Sequence, residues 1–482
     1  MSESVETVAL VAIVAFVLGI HCDHAHLAHQ THHHDDAHNR YKSPTITLYY
    51  EIRCKITFFR NGWCIMEIKR DIYLDKLVRK KKNGLIKVVT GVRRCGKSYL
   101  LFHLFHNHLL ESGVPEDHII EVALDDRRNK DLRDPDAMLK FIDESIKDKK
   151  DYYVILDEVQ YLNEFEDVLN SLLHINNVDV YVTGSNSKFL SSDVITQFRG
   201  RGDEIHVYPL SFREYISAYQ GTLDEAWDDY LVYGGLPLIL TMEIPEDKAE
   251  YLNSLFQKVY ISDIVERHNV RNKAELDELV DIIASAIGSY TNQNKLARTF
   301  KSVKGTTISD KTIKNYIDYL IDSFLISKAS RFDVKGKKYI GSPSKYYFED
   351  VGLRNARLGF RQIEQTHLME NIIYNELRIR GYHVDVGVVE HYEASDGGKR
   401  SKKQLEVDFV ATRGSEKYYI QSAFALSSAD NVNQEQRSLL CISDSFRKII
   451  VVGDNIKVRR DENGIVTVGL RNFLLDENSL SL

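Results

Sequence analysis

One eight-residue run, residues 91–98, constrains the fold of this chain more than any other feature. It reads Gly-Val-Arg-Arg-Cys-Gly-Lys-Ser and fits the pattern G-x-x-x-x-G-K-[ST] of a phosphate-binding loop. An apolar stretch suited to a strand, residues 86–90, precedes it, and apolar residues recur at helical spacing from Leu100 to Phe105. A glycine-rich turn that arose by chance would not require a strand before it and a helix after it. The run therefore predicts an α/β domain with a nucleotide-binding loop between a strand and a helix.

The loop chemistry assigns roles to its residues. Gly91 and Gly96 allow the tight backbone turn that points N–H groups at phosphates, and the following helix N-terminus adds positive partial charge. Lys97 is expected to reach the β- and γ-phosphates, and Ser98 to ligate Mg²⁺. The residues expected to bind the nucleotide are Gly91, Val92, Arg93, Arg94, Cys95, Gly96, Lys97, Ser98 and Tyr99.

An acidic pair ends a second predicted strand. The apolar run of residues 152–156 suits a strand buried on both faces, and Asp157 and Glu158 follow it directly. We expect Asp157 to hold Mg²⁺ and Glu158 to orient and polarise the water that attacks the γ-phosphate. Two acids after a strand also occur in solvated turns, but the phosphate-binding loop upstream favours the catalytic interpretation.

Polar residues end a third predicted strand, residues 178–182. Side chains at this place can contact the γ-phosphate or the attacking water. The order of loop, Asp-Glu strand and polar strand end resembles the AAA-type ATPases, in which this is the sensor position. The resemblance implies a catalytic role for Asn186 or Ser185, whereas an ordinary polar loop cap is the alternative.

An arginine lies shortly before the next predicted strand, residues 204–208. From such a position an arginine can project into a neighbouring protomer and neutralise charge on the leaving phosphate. Arg201 is the first candidate for this finger and Arg199 the second, although either is also compatible with an ordinary surface arginine. A finger of this kind implies a homo-oligomer.

Composition and cysteine use narrow the class of protein. With 43% hydrophobic and 28% charged residues, the chain is neither disordered nor fibrous. The formal net charge of −7 argues against general nucleic-acid coating but permits a local basic surface. The five cysteines show no C-x-x-C spacing, and Cys95 lies inside the loop, which favours a reducing, cytoplasmic setting over a disulfide framework.

The first 65 residues differ from the rest. Residues 8–20 are apolar but shorter than the roughly 20 residues that span a bilayer, and their flank carries acids instead of the basic residues of a secretory signal. A histidine-rich tract, residues 21–38, has no fixed spacing to impose metal geometry. We therefore expect residues 1–65 to be an extension without a structural partner, and no membrane association.

Turn-forming residues and the distribution of charge divide the chain after residue 65 into segments. We expect an ATPase core over residues 66–208, a helical lid over 209–270 with Arg267 as a candidate second sensing arginine, and a winged helix-turn-helix over 271–345. Basic residues of the third segment suit phosphate contacts with DNA, but winged helices also serve as protein-binding modules, and both interpretations stay open. The lysines are Lys301, Lys304, Lys311, Lys314, Lys335, Lys337 and Lys338.

The last segment, residues 346–482, resembles the restriction-endonuclease-like fold. The resemblance rests on a predicted helix, residues 369–377, and two predicted strands, residues 405–410 and 418–423. Nucleases of this fold bind a divalent metal through an Asp on one strand and the acid of an E-x-K on the next, whose Lys polarises the water. Here the acids Glu370, Glu406 and Asp408 are present, but Gln421 and Ala423 replace the acid and the lysine. The resemblance therefore implies the fold without the nuclease chemistry.

From residue 66 to its end, the chain is similar to bacterial and archaeal AAA-family ATPases that carry a C-terminal domain of uncharacterised function with this nuclease-like core. The phrases at residues 209–212 and 233–237 are typical of that family. The resemblance implies binding and hydrolysis of ATP with Mg²⁺ in a cytoplasmic protein. Hydrolysis would move the winged helix and the C-terminal domain, on DNA or on a protein. The alternative is a slow nucleotide-gated scaffold that binds a protein partner without nucleic acid.

Overall fold

The computed structural model describes residues 68–184, 200–304, 308–394, 400–426 and 428–481. The N-terminal extension, the sensor candidates Ser185 and Asn186, and the second finger candidate Arg199 lie outside the described residues. Within the described ranges, no helix has both the length and the apolar character that crossing a membrane requires.

A five-stranded parallel sheet forms the first half of the fold. Its strand order is β2-β3-β4-β1-β5. Strands β1 and β3 are buried along their whole length, as their continuous apolar sequences predict for a parallel sheet covered on both faces. Because all five strands are parallel, the residues that follow them meet at one edge. The strands are β1 (Ile86–Thr90), β2 (Ile119–Ala123), β3 (Tyr152–Asp157), β4 (Val178–Thr183) and β5 (Gly202–His206).

Helices cover this sheet. The helix predicted after the loop is present, but its middle, Leu100–Phe105, is π-helical and joins two short α-helices. The apolar faces of the helices Pro135–Ser145 and Phe165–Leu172 pack against one side of the sheet. The helices are α1 (Asp71–Arg79), α2 (Lys97–Tyr99), α3 (His106–Glu111), α4 (Pro135–Ser145) and α5 (Phe165–Leu172).

The next segment is helical, as the sequence predicts for residues 209–270. Ser211 and Thr222 each begin a helix with a capping box, in which a glutamate three residues later bonds back to the cap. A π-helical stretch, Phe256–Ile261, leads into the last helix of the segment. The helices are α6 (Phe212–Ala218), α7 (Leu223–Tyr233), α8 (Pro245–Leu255) and α9 (Ser262–Arg267).

Three helices and a β-hairpin follow: α10 (Lys273–Ser285), α11 (Gln293–Lys304), α12 (Asp310–Asp322), β6 (Ile326–Asp333) and β7 (Lys338–Phe348). A serine directly before apolar residues at helical spacing predicts an N-cap, and the structure confirms it: the Ser309 hydroxyl accepts a 3.0 Å hydrogen bond from the Thr312 N–H. Backbone hydrogen bonds pair Thr291 with Ser344 of β7.

An eight-stranded sheet with the order β12-β13-β11-β10-β9-β8-β6-β7 completes the fold. The two strands predicted at residues 405–410 and 418–423 are present as the antiparallel pair β9 and β10. The strands that complete the sheet are β8 (His383–Ala394), β9 (Arg400–Arg413), β10 (Glu416–Ala423), β11 (Arg447–Val452), β12 (Arg459–Arg460) and β13 (Val466–Gly469). The helices that accompany it are α13 (Val351–Arg357), α14 (Gln365–Ile379), α15 (Ala429–Leu440) and α16 (Leu470–Leu475).

The hairpin β6–β7 is part of this second sheet, because β6 pairs in parallel with β8. The domain boundary expected at residue 345 consequently falls inside β7, which continues to Phe348. The Gly-Ser-Pro-Ser run at residues 341–344 resembles a loop sequence, but it lies within β7, and the strand passes from one predicted segment into the next without a turn.

Candidate nucleotide-binding site

The phosphate-binding loop connects β1 to α2 at the carboxyl edge of the first sheet. Gly91 and Gly96 have φ values of +132° and +98°, which side-chain-bearing residues rarely adopt. A Cβ atom at Gly91 would lie 2.0 Å from the carbonyl oxygen of Val207. Both the backbone conformation and the close approach of the neighbouring chain therefore require glycine at position 91.

Lys97 places its ammonium group inside the turn of the loop. Its Nζ donates hydrogen bonds of 3.0 Å to the carbonyl oxygens of Gly91 and Val92, and the residue is 5% exposed. The loop thus wraps around a buried cation, which is the central requirement for binding a phosphate group.

The two predicted metal ligands lie together. Asp157 ends β3, and its carboxylate accepts hydrogen bonds from the hydroxyls of Ser98 and Thr183. Burial raises the pKa of Asp157, although these two hydrogen bonds oppose the rise. In the described residues no cluster of three or more His, Cys, Asp or Glu side chains could hold a metal ion alone. That finding suits Mg²⁺ in a phosphate-binding loop, where phosphate oxygens and water complete the coordination shell.

Glu158 is positioned by two residues that the sequence reasoning did not select. Its backbone N–H donates a 2.9 Å hydrogen bond to Thr183 Oγ1, and the Gln160 side-chain amide donates to its carboxylate. Thr183 is the last residue of β4, the third of the strands predicted above, so the polar residues at that strand end did indicate this position. The chosen candidates Ser185 and Asn186 lie just beyond it, outside the described residues.

Arg93 of the loop contacts the helical segment that follows the sheet. Arg93 forms an ion pair with Asp263 of α9, and its carbonyl oxygen accepts a 3.1 Å hydrogen bond from the Tyr260 hydroxyl. Arg267 Nη2 lies 3.5 Å from Asp263 Oδ2. The predicted second sensing arginine is therefore next to the loop, with its carboxylate partner shared with Arg93. Burial lowers the pKa of Arg267, and Arg93 adds to that effect against the attraction of Asp263.

Arg70, which the sequence reasoning missed, fixes the back of the loop. Its guanidinium donates hydrogen bonds to the carbonyl oxygens of Cys95 (3.0 Å) and Tyr208 (2.6 Å) and forms a 3.0 Å ion pair with Glu214. The Cys95 side chain is fully buried, and burial raises the pKa of its thiol. Cys95 is therefore a packed structural residue of the loop and not a reactive thiol.

Arg201, the first finger candidate, is exposed and directly precedes β5. Its carbonyl oxygen accepts a hydrogen bond from the Ile86 N–H at the start of β1, and its Nη1 lies 3.4 Å from Asn170 Oδ1. Since the strands are parallel, this is the amino edge of the sheet, opposite to the edge that carries the loop. Arg201 therefore cannot reach the phosphate-binding loop of its own chain.

A polar path leads from the loop to the second sheet. Thr90 Oγ1, directly before the loop, is 3.1 Å from His206 Nδ1, and His206 Nε2 is 3.1 Å from Glu349 Oε2. Glu349 follows β7 directly, and its other carboxylate oxygen accepts a 3.2 Å hydrogen bond from Ser327 of β6. The strand that precedes the loop is thus connected through side chains to both strands of the hairpin.

Asp350 makes a second connection between the two halves. It is fully buried, and its carboxylate accepts hydrogen bonds from the N–H groups of Gly235 (2.8 Å) and Leu353 (2.9 Å). Burial raises the pKa of Asp350 to about 6, although these hydrogen bonds counteract it. Gly235 belongs to the segment between α7 and the last lid helices, so Asp350 ties that segment to the start of α13.

The remaining acids of the predicted nuclease-like domain lie together in the second sheet. Glu370 of α14 and Glu406 and Asp408 of β9 surround the ammonium group of Lys345 from β7. The side-chain oxygen of Gln421 is 3.4 Å from the Asp408 N–H. Sequence reasoning grouped the acids but did not place Lys345 among them.

Comparisons with known proteins agree with this geometry in the first half of the chain. Residues 83–216 match the family described as AAA domain, and residues 224–364 match a domain of unknown function, DUF8612. An uncharacterised protein of Haemophilus influenzae is 31% identical over 414 residues, which cover 85% of this chain and 98% of that protein. The uncharacterised protein MJ1544 of Methanocaldococcus jannaschii is 29% identical over 407 residues, covering 81% of this chain and 84% of that protein.

Among solved structures, similarity extends to the Aeropyrum pernix ORC1 protein in complex with DNA. The two share 12% identity with a TM-score of 0.29, over 61% of this chain and 93% of that one. A DNA replication initiation factor shares 15% identity with a TM-score of 0.22, over 52% of this chain and 86% of that one.

Proposed function

We propose that this chain, which belongs to the same family of AAA-domain proteins as its Haemophilus influenzae relative, binds ATP with Mg²⁺ and hydrolyses it. One observation carries the proposal. Lys97, Ser98 and Asp157 converge at the carboxyl edge of a parallel sheet, and Glu158 follows directly. A phosphate-binding cation, two oxygen ligands for Mg²⁺ and a carboxylate for the attacking water are the groups that this reaction needs.

Each group has one role in the proposed reaction. The loop N–H groups and Lys97 bind the phosphates, and Ser98 and Asp157 hold Mg²⁺, which when bound neutralises charge on the β- and γ-phosphate oxygens. Glu158 orients the water and accepts hydrogen bonds from it. The amide of Gln160 donates a hydrogen bond to one oxygen of that carboxylate and so competes with water for it.

Substitution of Ser98 tests the assignment. Ser98→Ala removes one oxygen ligand of Mg²⁺, so we expect Mg²⁺-dependent ATP turnover to fall by about 10²-fold. Ser112→Ala, at an exposed serine that caps the end of α3, is the matched control and should retain the wild-type rate. Equal turnover of Ser98→Ala and wild type across a Mg²⁺ titration would contradict the assignment.

We propose that the finger acts between subunits. Arg201 is exposed at the sheet edge opposite its own loop, so it can serve catalysis only in another copy of the chain. This position supports a homo-oligomer in which each nucleotide lies between the loop of one subunit and Arg201 of the next.

We propose that hydrolysis moves the segments beyond residue 270. The loop contacts the helical lid through Arg93 and Asp263, and β1 contacts the hairpin through Thr90, His206 and Glu349. A change in the loop on nucleotide binding or phosphate release can therefore be transmitted by direct contacts to both the lid and the hairpin.

The moved segment has the element order of a winged helix-turn-helix: α10, an isolated β-bridge at Thr291, α11, α12 and the hairpin β6–β7. Six of the lysines that the sequence indicates for phosphate contacts are exposed. They are Lys301, Lys311, Lys314, Lys335, Lys337 and Lys338. We propose duplex DNA as the partner of this surface, bound mainly through its phosphates. Residues 271–345 would then supply the DNA-binding surface, although their hairpin belongs to the second sheet, and the nuclease-like segment of residues 346–482 would have no cleavage activity.

DNA stimulation of ATP turnover tests this partner. Wild-type turnover should rise when duplex DNA is added, and the rise should disappear as salt increases. Changing Lys311, Lys314 and Lys337 to Gln should abolish the rise, whereas the same change at Lys147, Lys149 and Lys150, which are exposed on the core, should not. The alternative is a slow scaffold that does not bind nucleic acid, and the contact of Gln160 with Glu158 favours it. It predicts low turnover that does not respond to DNA in wild type or in either triple variant.

A further inference from the structure

Lys345 is a buried cation at the centre of three carboxylates. Its side chain is 4% exposed, and its Nζ lies 2.8 Å from Glu370 Oε1, 2.6 Å from Glu406 Oε1 and 3.9 Å from Asp408 Oδ1. The lysine comes from β7, whereas the acids come from α14 and β9. Three elements of the second sheet therefore meet at one ammonium group.

Further contacts hold the carboxylates in place around it. The Tyr347 hydroxyl donates a 2.6 Å hydrogen bond to Glu370 Oε1, and the Ser422 N–H donates a 2.8 Å bond to Asp408 Oδ2. The ring centroid of Tyr290 is 5.6 Å from Lys345 Nζ. Hydrogen bonds thus hold the acids in place facing the ammonium group, which distinguishes the cluster from a set of solvated surface charges.

The charges of the cluster stabilise the protonated lysine. Burial alone would lower the pKa of Lys345, but the neighbouring Glu370, Asp408 and Glu406 reverse the effect and raise it. Burial and the charge of Glu370 raise the pKa of Asp408. A cation among carboxylates at this separation stabilises their charged forms, because each would otherwise repel the next.

We propose that Lys345 is a built-in cation that takes the place of a divalent metal ion among Glu370, Glu406 and Asp408. The lysine satisfies the carboxylates directly, so the cluster is complete without a metal. A tethered ammonium group has no open coordination position for a water molecule, so it cannot supply a metal-activated nucleophile. The role is structural: it fixes β7 to α14 and β9. This inference is independent of ATP hydrolysis.

The test replaces Lys345 by methionine in the full chain. Lys338→Met, at an exposed lysine of the same strand, is the matched control. Removing the ammonium group leaves three neighbouring carboxylates without a cation, so the thermal midpoint of Lys345→Met should fall by about 5 °C or more, while Lys338→Met should melt like wild type. Without nucleotide, Lys345→Met should bind one more Mn²⁺ ion than Lys338→Met, and millimolar Mn²⁺ should raise its midpoint by about 3 °C or more. Both gains should disappear in the double variant Lys345→Met/Glu406→Gln.

The comparison with Lys338→Met cancels any Mn²⁺ bound by the histidine-rich tract or by Asp157, since both proteins contain them. Equal Mn²⁺ binding by Lys345→Met and Lys338→Met would overturn the proposal.

A second comparison applies even if Lys345→Met does not fold. Glu406 is 33% exposed at its side chain, so Glu406→Gln should fold like wild type. If Lys345 fills the site, wild type and Glu406→Gln bind the same number of Mn²⁺ ions, and EDTA leaves the midpoint of both unchanged. One additional Mn²⁺ ion bound by wild type would show that the cluster is an ordinary metal site and that Lys345 does not replace the ion.

Discussion

His206 Nε2 and Glu349 Oε2 lie 3.1 Å apart at the junction of the two sheets. His206 is the last residue of β5 and contacts Thr90, which directly precedes the phosphate-binding loop. Glu349 follows β7, the strand that carries Lys345. This hydrogen-bonded pair therefore connects the nucleotide site to the second sheet.

Breaking this pair should uncouple the two halves without harming ATP binding. Glu349→Gln removes the charge facing His206, so we expect ATP affinity within about 3-fold of wild type but a loss of the change in hydrogen exchange that ATP causes in β6 and β7. Glu462→Gln, at an exposed glutamate, is the control and should keep that change. Identical ATP-dependent exchange in Glu349→Gln and wild type would rule out this path.

Lys97 and Glu158 should separate binding from hydrolysis. Lys97→Ala removes the cation that contacts ground-state phosphates and should weaken ATP binding by about 10-fold or more in calorimetry. Glu158→Gln should bind ATP normally and lose about 10²-fold or more in turnover, because the carboxylate acts on the attacking water. Unchanged ATP affinity in Lys97→Ala, with Lys140→Ala as an exposed-lysine control, would refute the assignment.

Arg201 should act across a subunit interface. Arg201→Ala should bind ATP like wild type but turn it over about 10³-fold more slowly, the lower bound for arginine fingers elsewhere. Mixing it with Lys97→Ala should restore activity, since the first protein supplies an intact loop and the second supplies the arginine. Wild-type specific activity should also rise with protein concentration. Turnover proportional to concentration over a wide dilution series, without rescue on mixing, would exclude a finger in trans.

Asp350 should make stability depend on pH. Its pKa is raised from 3.8 to about 6 in the folded chain, so its contribution to stability is fully present below about pH 4 and is lost as the pH rises through 6. The loss is on the order of 3 kcal/mol, about 1.4 kcal/mol for each of roughly two pKa units. Denaturant unfolding at pH 4 and pH 7 should show a larger decrease for wild type than for Asp350→Asn, which does not titrate. Parallel pH profiles of the two proteins would contradict this account.

The second sheet should not cleave nucleic acid. Gln421 and Ala423 lack the charges of a metal ligand and a water-polarising lysine, and Lys345 occupies the space among the three acids. Purified protein should therefore leave DNA and RNA intact with Mg²⁺ or Mn²⁺. Metal-dependent cleavage that Asp408→Ala abolishes would disprove this expectation.

The nucleotide site was largely predictable because its parts are local. The loop, the Asp-Glu pair and the polar end of the third strand each occupy a few consecutive residues, and parallel strands must bring such segments to one edge. Thr183 was near the predicted sensor residues for the same reason. The helix that begins at Asp310 was predictable from the helical spacing of its apolar residues, and its cap was predictable from the serine before it.

The remaining features depend on pairs that are distant in sequence. Arg70 binds the carbonyl oxygen of a residue 138 positions later, and His206 meets Glu349 across 143 positions. Lys345 reads in the sequence as one more lysine of a basic segment, and only the pairing of β6 with β8 brings it to Glu406. Sequence alone determined the nucleotide-binding loop and its acids, because short-range spacing dictates their chemistry. Tertiary structure decided which buried charges pair, because that depends on the strand order and register of the whole sheet.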